Sequence, residues 1–149
     1  MAQDITGAGT VVNLIASNTY PAGLTITQLA DDTDPMDFAS IAIADKAMGA
    51  NGDLITWAKA TPLPMTLSVV AGSIDDQNLE ILANANRVSQ GKASANDIIN
   101  ATIIYPNGSV KSFFGGRITD AMFGNSIAGN SFRFKTKTYV FAFQDQAGS

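Results

Sequence analysis

The sequence predicts a mainly β fold, a β-sandwich or half-open barrel, with one flanking α-helix at about residues 74–90. Short segments that alternate apolar and polar residues predict half-buried strands. Proline, glycine and asparagine residues punctuate these segments, as turns require. A single longer segment has the spacing of an amphipathic helix. The 149 residues contain neither an internal repeat nor a linker-like stretch, so we expect one domain over residues 1–149.

The first predicted element is an N-terminal hairpin. Residues 9–18 alternate, which places Val12 and Leu14 on an inner face, and the second strand does the same with Leu24. A turn is expected at residues 20–23, where proline and glycine stand close together. The outer face of this hairpin is then neutral and polar, with four small side chains: Asn13, Ser17, Thr25 and Thr27.

An acidic loop is expected to follow at residues 30–37. A proline stands there among four aspartates: Asp31, Asp32, Asp34 and Asp37. Because calcium takes oxygen ligands, a calcium site is one interpretation of such a loop. Met36 stands where an EF-hand needs an oxygen ligand, however, and no glutamate closes the segment. A solvated acidic loop without metal is therefore favoured.

Residues 38–44, 54–58 and 65–70 are predicted strands. Between the first two, a glycine-punctuated excursion is expected to project from the body and to contact another protein copy. It spans residues 46–53 and includes Lys46, Met48, Asn51 and Asp53. Trp57 is expected in the core, because tryptophan is highly buried on average, rather than in an exposed contact beside Met48.

The predicted helix at residues 74–90 has Ser73 as its N-cap and Gly91 as the residue that ends it. The Asp76 carboxylate is expected to accept a hydrogen bond from the amide of the cap. Asp75 and Asp76 suit the positive end of the helix dipole, and they point about 100° apart, which excludes a catalytic dyad. The predicted apolar stripe consists of Ile74, Leu79, Ile81, Leu82, Ala85 and Val88. The face with Asp75, Asp76 and Glu80 is expected to meet solvent or a partner.

The C-terminal part is predicted to be strands. Residues 98–105 begin a hairpin that a Pro-Asn-Gly turn closes, and Gly115 and Gly116 permit a kink in the strand that follows. After a loop at residues 123–130, residues 131–143 are predicted as a long aromatic strand. Three cations alternate along it: Arg133, Lys135 and Lys137. Because the net charge is −4, pairing with acids of a neighbouring strand or subunit is favoured over a phosphate-binding strip.

The composition of the chain limits the classes of function that it can have. Charged residues make up 15% of the chain against about 25% on average, while 46% of residues are hydrophobic. We expect much of such a surface to be covered by other copies of the chain. The net charge of −4 argues against a nucleic-acid binder.

Cysteine and histidine are both absent from the sequence, which excludes most zinc sites, Cys–His and Ser–His–Asp nucleophiles, and haem ligation. We therefore expect no enzyme: no catalytic residue, no cofactor and no metal. No secretory signal is visible, and no apolar run approaches the ~20 residues of a membrane helix, so no membrane insertion is expected.

Four segments carry a resemblance to a known family: AMGANGDLITW at 47–57, DDQNLEILANANRV at 75–88, GGRITDAM at 115–122 and FRFKTKTYVFAF at 132–143. In this order and spacing they resemble the tail tube proteins of contractile-tailed bacteriophages, and the resemblance extends over about residues 9–143. It implies a β-sandwich or barrel with one flanking helix, a general fold that type VI secretion tube proteins share. It also implies hexameric rings that stack into a hollow tube inside a contractile sheath.

The partners that the resemblance implies are further copies of the chain, the sheath protein, baseplate or initiator proteins, terminator proteins and a tape measure protein in the lumen. Viral DNA would pass through the tube during ejection without being specifically bound. The implied location is the virion tail, assembled in the host bacterial cytoplasm.

These implications give the three candidate surfaces their expected roles. The neutral hairpin face would line the lumen, the excursion at residues 46–53 would stack the rings, and the acidic helix face would meet the sheath. Two alternatives stay open: an initiator paralogue that forms a single ring, and a soluble β-sandwich module that binds a ligand.

Overall fold

The computed structural model describes residues 9–30 and 35–148. Asp31, Asp32 and Asp34 of the expected acidic loop lie outside these residues. The elements in chain order are β1 (Val11–Ala16), β2 (Tyr20–Ile26), β3 (Met36–Asp37), β4 (Ala44–Met48), β5 (Leu54–Ala58), β6 (Leu63–Val69), α1 (Ile74–Asn86), β7 (Ile99–Ile104), β8 (Val110–Asp120), β9 (Lys137–Phe143) and β10 (Asp145–Gly148).

The expected mainly β architecture with a flanking helix is confirmed. All strand pairs are antiparallel, in the order β2-β1-β7-β8-β9-β6-β3, and β10 pairs with β8. This path does not close into a barrel. Strands β4 and β5 form a separate two-stranded hairpin.

The long strand β8 joins the two layers of the sandwich. Its first part pairs with β7 and β10, and its last part, from Arg117, pairs with β9. The change of partner follows the glycine pair, where the register with β7 shifts, which agrees with the kink that the sequence predicts there. A Cβ on Gly116 would lie 2.2 Å from the Phe143 ring, so this close approach requires glycine.

The core forms where the inward residues of the two layers meet. Val12 and Leu14 of β1 and Leu24 of β2 are buried, which confirms the predicted alternation. The predicted turn at residues 20–23 is wrong, because Tyr20 already pairs with Ala16 and the chain reverses before it. Strand β2 tolerates its proline because β2 is an edge strand.

Helix α1 begins as predicted but ends earlier. Ser73 Oγ accepts a 3.1 Å hydrogen bond from the Asp76 amide, which confirms the N-cap. The Asp76 carboxylate accepts from the amide of Gly72 (2.9 Å), not from that of the cap as expected. The helix ends at Asn86 because Arg87 is extended (φ −89°, ψ 133°), and Gly91 instead lies in a separate tight turn.

Several predicted strand bounds are also wrong. Residues 38–43 are not in a strand, and β4 begins at Ala44, where the predicted strand ends. Asp37, expected in a loop, lies in the short strand β3 and pairs with Thr66 of β6. The last predicted strand begins only at Lys137, because the chain before it folds into a loop.

Candidate assembly surfaces

The outer face of β1 and β2 continues across the sheet. Asn13 pairs with Thr25 on one side and with Thr102 on the other, and Thr102 pairs with Ser112 of β8. Thr25 Oγ1 donates a 2.9 Å hydrogen bond to Asn13 Oδ1. We call these four residues, Thr25, Asn13, Thr102 and Ser112, the neutral row. Sequence reasoning missed the last two, although the alternation of β7 already indicates that Thr102 faces away from the core.

Two of the four predicted residues of this face lie elsewhere. Ser17 follows β1, and its Oγ accepts a 3.0 Å hydrogen bond from the amide of Ile98. Thr27 follows β2, and its amide donates to Asp75 Oδ2 (2.8 Å). Because β1 and β2 are antiparallel, Ser17 and Thr27 lie at opposite ends of the hairpin.

The layer that carries the neutral row has two open edges. Within the described chain, β2 pairs with β1 alone and β10 pairs with β8 alone. The layer β2–β1–β7–β8–β10 therefore ends on both sides in a strand that has no partner along its outer edge within residues 9–30 and 35–148. Such edges pair readily with another chain.

Strands β4 and β5 form the second surface, the projecting hairpin (residues 44–58). Every residue in its two strands is exposed, and among the described residues its strands pair only with each other. Lys46 and Met48 lie in β4, opposite Thr56 and Leu54 of β5. Asn51 and Asp53 lie in the connecting turn, where the amide of Gly49 donates to the carbonyl of Asp53 (2.7 Å).

The projecting hairpin exposes large apolar side chains on both faces. Met48 (70% exposed) and Leu54 share one face, and Ile55 and Trp57 (49% exposed) share the other. The expectation that Trp57 lies in the core is therefore wrong. An isolated two-stranded hairpin is marginally stable in water, and exposed apolar patches mark interaction sites. A partner that covers this hairpin would explain both features.

Helix α1 presents a different face to the sheet than the sequence predicts. Asp75 and Asp76, expected to face outward, are buried, whereas Ile74 and Ile81 of the predicted apolar stripe are exposed. Asp75 Oδ2 accepts hydrogen bonds from the amides of Thr27 and Gln28 (2.8 Å each) and so ends strand β2.

Asp76 belongs to a buried ionic cluster with β9. Its carboxylate accepts a 2.8 Å hydrogen bond from the Tyr139 hydroxyl and lies 3.3 Å from Lys137 Nζ. Lys137, whose side chain is 1% exposed, also pairs with Glu80 at 2.9 Å. Burial, together with the hydrogen bond and the negative charge of Asp76, raises the pKa of Tyr139 well above its ordinary range. Of the three predicted cations, Lys137 alone lies in β9, and it pairs with acids of its own chain.

A second buried carboxylate joins the helix to the first hairpin. Asp97 is fully buried and accepts hydrogen bonds from the amides of Asn18 (2.7 Å) and Thr19 (2.9 Å), from the Thr19 hydroxyl and from Asn86 Nδ2 (2.8 Å). Burial alone would raise the pKa of Asp97, but these hydrogen bonds lower it below its ordinary value. The Asp97 bonds fix the turn at residues 17–19, and no local pattern in the sequence signals them.

The outward face of α1 is a stripe of uncharged side chains. It consists of Ile74, Gln77, Ile81 and Asn84, all exposed, and Glu80 lies at its margin. No described group of three or more acidic side chains is placed to hold a metal ion. No helix within residues 9–30 and 35–148 is long and apolar enough to span a bilayer.

The fold is similar to those of solved contractile injection systems. A chain of the anti-feeding prophage baseplate, determined with sixfold symmetry, aligns over 100% of this chain and 97% of its own length, with 12% identity and a TM-score of 0.60. A chain of the extended sheath–tube complex of the extracellular contractile injection system PVC aligns over 100% of this chain and 93% of its own, with 10% identity and a TM-score of 0.58. At such identities these likenesses show the fold alone.

Comparison of the sequence with protein-family models assigns the chain to a family. No curated protein sequence matches this chain. Residues 3–147 match the family model described as tail fiber protein gp32, which covers nearly the whole chain. The chain belongs to the tail fiber protein gp32 family.

Proposed function

We propose that this chain is a structural, non-enzymatic subunit of a bacteriophage tail tube, in which hexameric rings stack inside a contractile sheath. The open-edged layer β2–β1–β7–β8–β10 is the observation that carries the proposal. A copy on each side of this layer would pair with both edges and remove the exposed strands. Repeating one such contact around a rotation axis closes a ring, and a ring can stack on its like without limit.

The comparisons support this proposal over a fibre, although the family is described by a fibre protein. The whole chain aligns with nearly whole chains of a baseplate and of a sheath–tube complex, which supports a tube or baseplate subunit. The sixfold symmetry of the baseplate structure is the model for six copies per ring. The proposed partners are therefore the sheath, baseplate or initiator, and terminator proteins of a virion tail that assembles in the host cytoplasm.

In this proposal the neutral row faces the lumen. Cross-strand neighbours lie at one height of a ring, so Thr25, Asn13, Thr102 and Ser112 of successive copies form a continuous uncharged belt. Lysines along a bore would neutralise phosphates and hold DNA, whereas neutral side chains let DNA pass after the tape measure protein has left. Ser17 and Thr27 lie beyond the ends of the belt.

The projecting hairpin is the proposed contact between stacked rings. Lys46 and Met48 lie on its strand β4 and Asn51 and Asp53 at its turn, all exposed. A ring above would cover the apolar side chains that the hairpin presents to solvent. This contact would also stabilise the two strands, which pair with no other part of the sheet.

The proposed sheath contact moves to the outward stripe of α1. Asp75 and Asp76 are buried against the sheet, so we leave them out of the proposed sheath contact. Glu80 stays at the margin of the stripe. The stripe centres on Ile81 and Gln77, an uncharged surface that a second protein can cover without desolvating an ion.

Electron microscopy of the purified protein over a concentration series tests the proposal. We expect hollow tubes, because both the layer edges and the projecting hairpin offer repeating contacts. Discrete single rings would favour the baseplate or initiator alternative, which the likeness to a baseplate chain supports. A monomer at every concentration would contradict self-assembly and would favour the remaining alternative, a soluble module that binds a ligand.

A further inference from the structure

The chain between β8 and β9 forms a compact loop with an aromatic surface. We call residues 123–135 the aromatic loop. The amide of Ala128 donates to the carbonyl of Arg133 (2.9 Å) and the amide of Lys135 to that of Ser126 (2.7 Å), which folds the loop back on itself. Large apolar side chains are exposed along it: Phe123, Ile127, Phe132 and Phe134.

Phe132 is held in a strained conformation at the tip of this loop. Its φ is +53°, a left-handed region that bulky residues rarely adopt, and its amide donates to the carbonyl of Ala128 (2.9 Å). The Phe132 side chain is nevertheless 87% exposed. The strained backbone of Phe132 costs stability, and its exposed ring returns none by burial within the chain. Strained and exposed apolar residues of this kind mark interaction sites.

The aromatic loop and the turn of the projecting hairpin carry opposite charges, Lys135 and Asp53, while Lys46 lies on strand β4 of the hairpin. Residues 123–135 contain basic side chains and no acidic one, and Lys135 makes no side-chain hydrogen bond or ion pair within the described chain. The hairpin strands and turn contain two acids and one lysine, and the Asp53 carboxylate at the turn is likewise without a partner there. Lys135 and Asp53 each stand beside an exposed apolar side chain in the sequence, Phe134 and Leu54 respectively.

We propose that the aromatic loop of one copy receives the projecting hairpin of the next copy, with Lys135 opposite Asp53 and Phe132 packed on the Met48–Leu54 face. The inference rests on the proposed self-assembly and adds to it the surface that accepts the hairpin. One chain carries both complementary halves, so an identical copy is the partner that supplies each missing half. The contact is heterologous, because the two halves are different surfaces.

Charge reversal tests this contact without disturbing the fold, because Asp53 and Lys135 are both exposed. Asp53→Lys or Lys135→Asp alone places two like charges in an apolar contact. We expect either change to raise the concentration needed for assembly by at least about tenfold. Asp37→Lys, which changes the net charge as Asp53→Lys does, is the matched control and should assemble normally. Circular dichroism and thermal unfolding of each variant verify the fold.

Two rescues identify the pairing itself. Asp53→Lys and Lys135→Asp in the same chain should restore assembly, because every contact again joins opposite charges. An equimolar mixture of the two single variants should also assemble, since alternating copies satisfy every contact. Sedimentation velocity and electron microscopy measure both.

The outcomes separate this inference from the proposed function. If the unchanged chain does not assemble, both fail. If it assembles and the single reversals assemble equally well, or neither rescue works, the pairing is wrong while the tube proposal stands. Reversals that spare bare tubes and block only the sheath would assign the aromatic loop to the sheath and overturn the pairing.

Discussion

The helix–sheet interface and the projecting hairpin differ in which of their side chains are buried. Between α1 and the sheet, even the charged groups Asp76 and Lys137 are buried and have partners within the chain. In the hairpin, even the apolar groups Met48 and Trp57 are exposed. The difference separates the part of the fold that the chain completes by itself from the part that we propose its neighbours complete.

The largest expected effect is in the buried ionic cluster. Lys137→Met leaves Asp76 buried without its cation and should lower the free energy of unfolding by about 3–5 kcal/mol. The matched control is Lys59→Met, which breaks the exposed Asp45–Lys59 pair (3.9 Å) beside the hairpin and should cost at most about 1 kcal/mol. Urea unfolding measures both variants. Equal losses would contradict the contrast between the two regions.

Asp97→Asn should have the next largest effect. The amide of this variant keeps one acceptor oxygen, but its NH2 group cannot accept the hydrogen bonds that Oδ2 takes from the Thr19 hydroxyl and from Asn86 Nδ2. About 1–3 kcal/mol of stability should therefore be lost at neutral pH. The folded pKa of Asp97 is lowered, so its contribution is present above the unfolded pKa and is lost as pH falls through the folded pKa.

Unfolding curves of the unchanged chain and of Asp97→Asn at several acidic pH values measure this dependence. The difference between the two proteins should shrink as the pH falls. A difference that stayed constant down to strongly acidic pH would show that the carboxylate charge does not matter.

Trp57→Ser should have the smallest effect on the fold and a large one on assembly. Trp57 is half-exposed and lies outside the buried core cluster, so the unfolding free energy should change by no more than about 0.5 kcal/mol. If the hairpin contacts another ring, tubes should form only at higher protein concentration. Thr56→Ser, on the other face of the same strand, is the control. A large loss of monomer stability would place Trp57 in the part that the chain completes alone.

The sequence predicts those parts of the structure that depend on neighbouring residues. The alternation at Val12 and Leu14 marks the core face of β1, and Ser73 marks the start of α1, because both signals are local. The predicted turn at residues 20–23 is wrong because Asp97, 79 residues from Asn18, fixes the turn before Tyr20. The predicted orientation of α1 is wrong because Asp76 is buried as the partner of Lys137. Lys137 also pairs with Glu80, which lies 57 residues away, and no local pattern signals such a distant contact.

The prediction for Trp57 is wrong for a different reason. It assumes that large apolar residues belong to the core of their own chain, an assumption that holds for proteins that act alone. The low share of charged residues is what we expect of the proposed self-assembly, in which other copies cover part of the surface. The position of the projecting hairpin follows from the glycines at residues 46–53, but which of its side chains are exposed does not.

Strand β8 connects an open edge of the sheet to the strand that lies beneath α1. One continuous backbone pairs with β10, at an open edge, and with β9, which holds Lys137 beneath α1. A force applied by a neighbouring copy at β10 would therefore reach the foot of the helix through the backbone hydrogen bonds that join β10 to β8 and β8 to β9, and through the Lys137–Asp76 ion pair. In a tube wall, this path would couple the inner surface to the outer one.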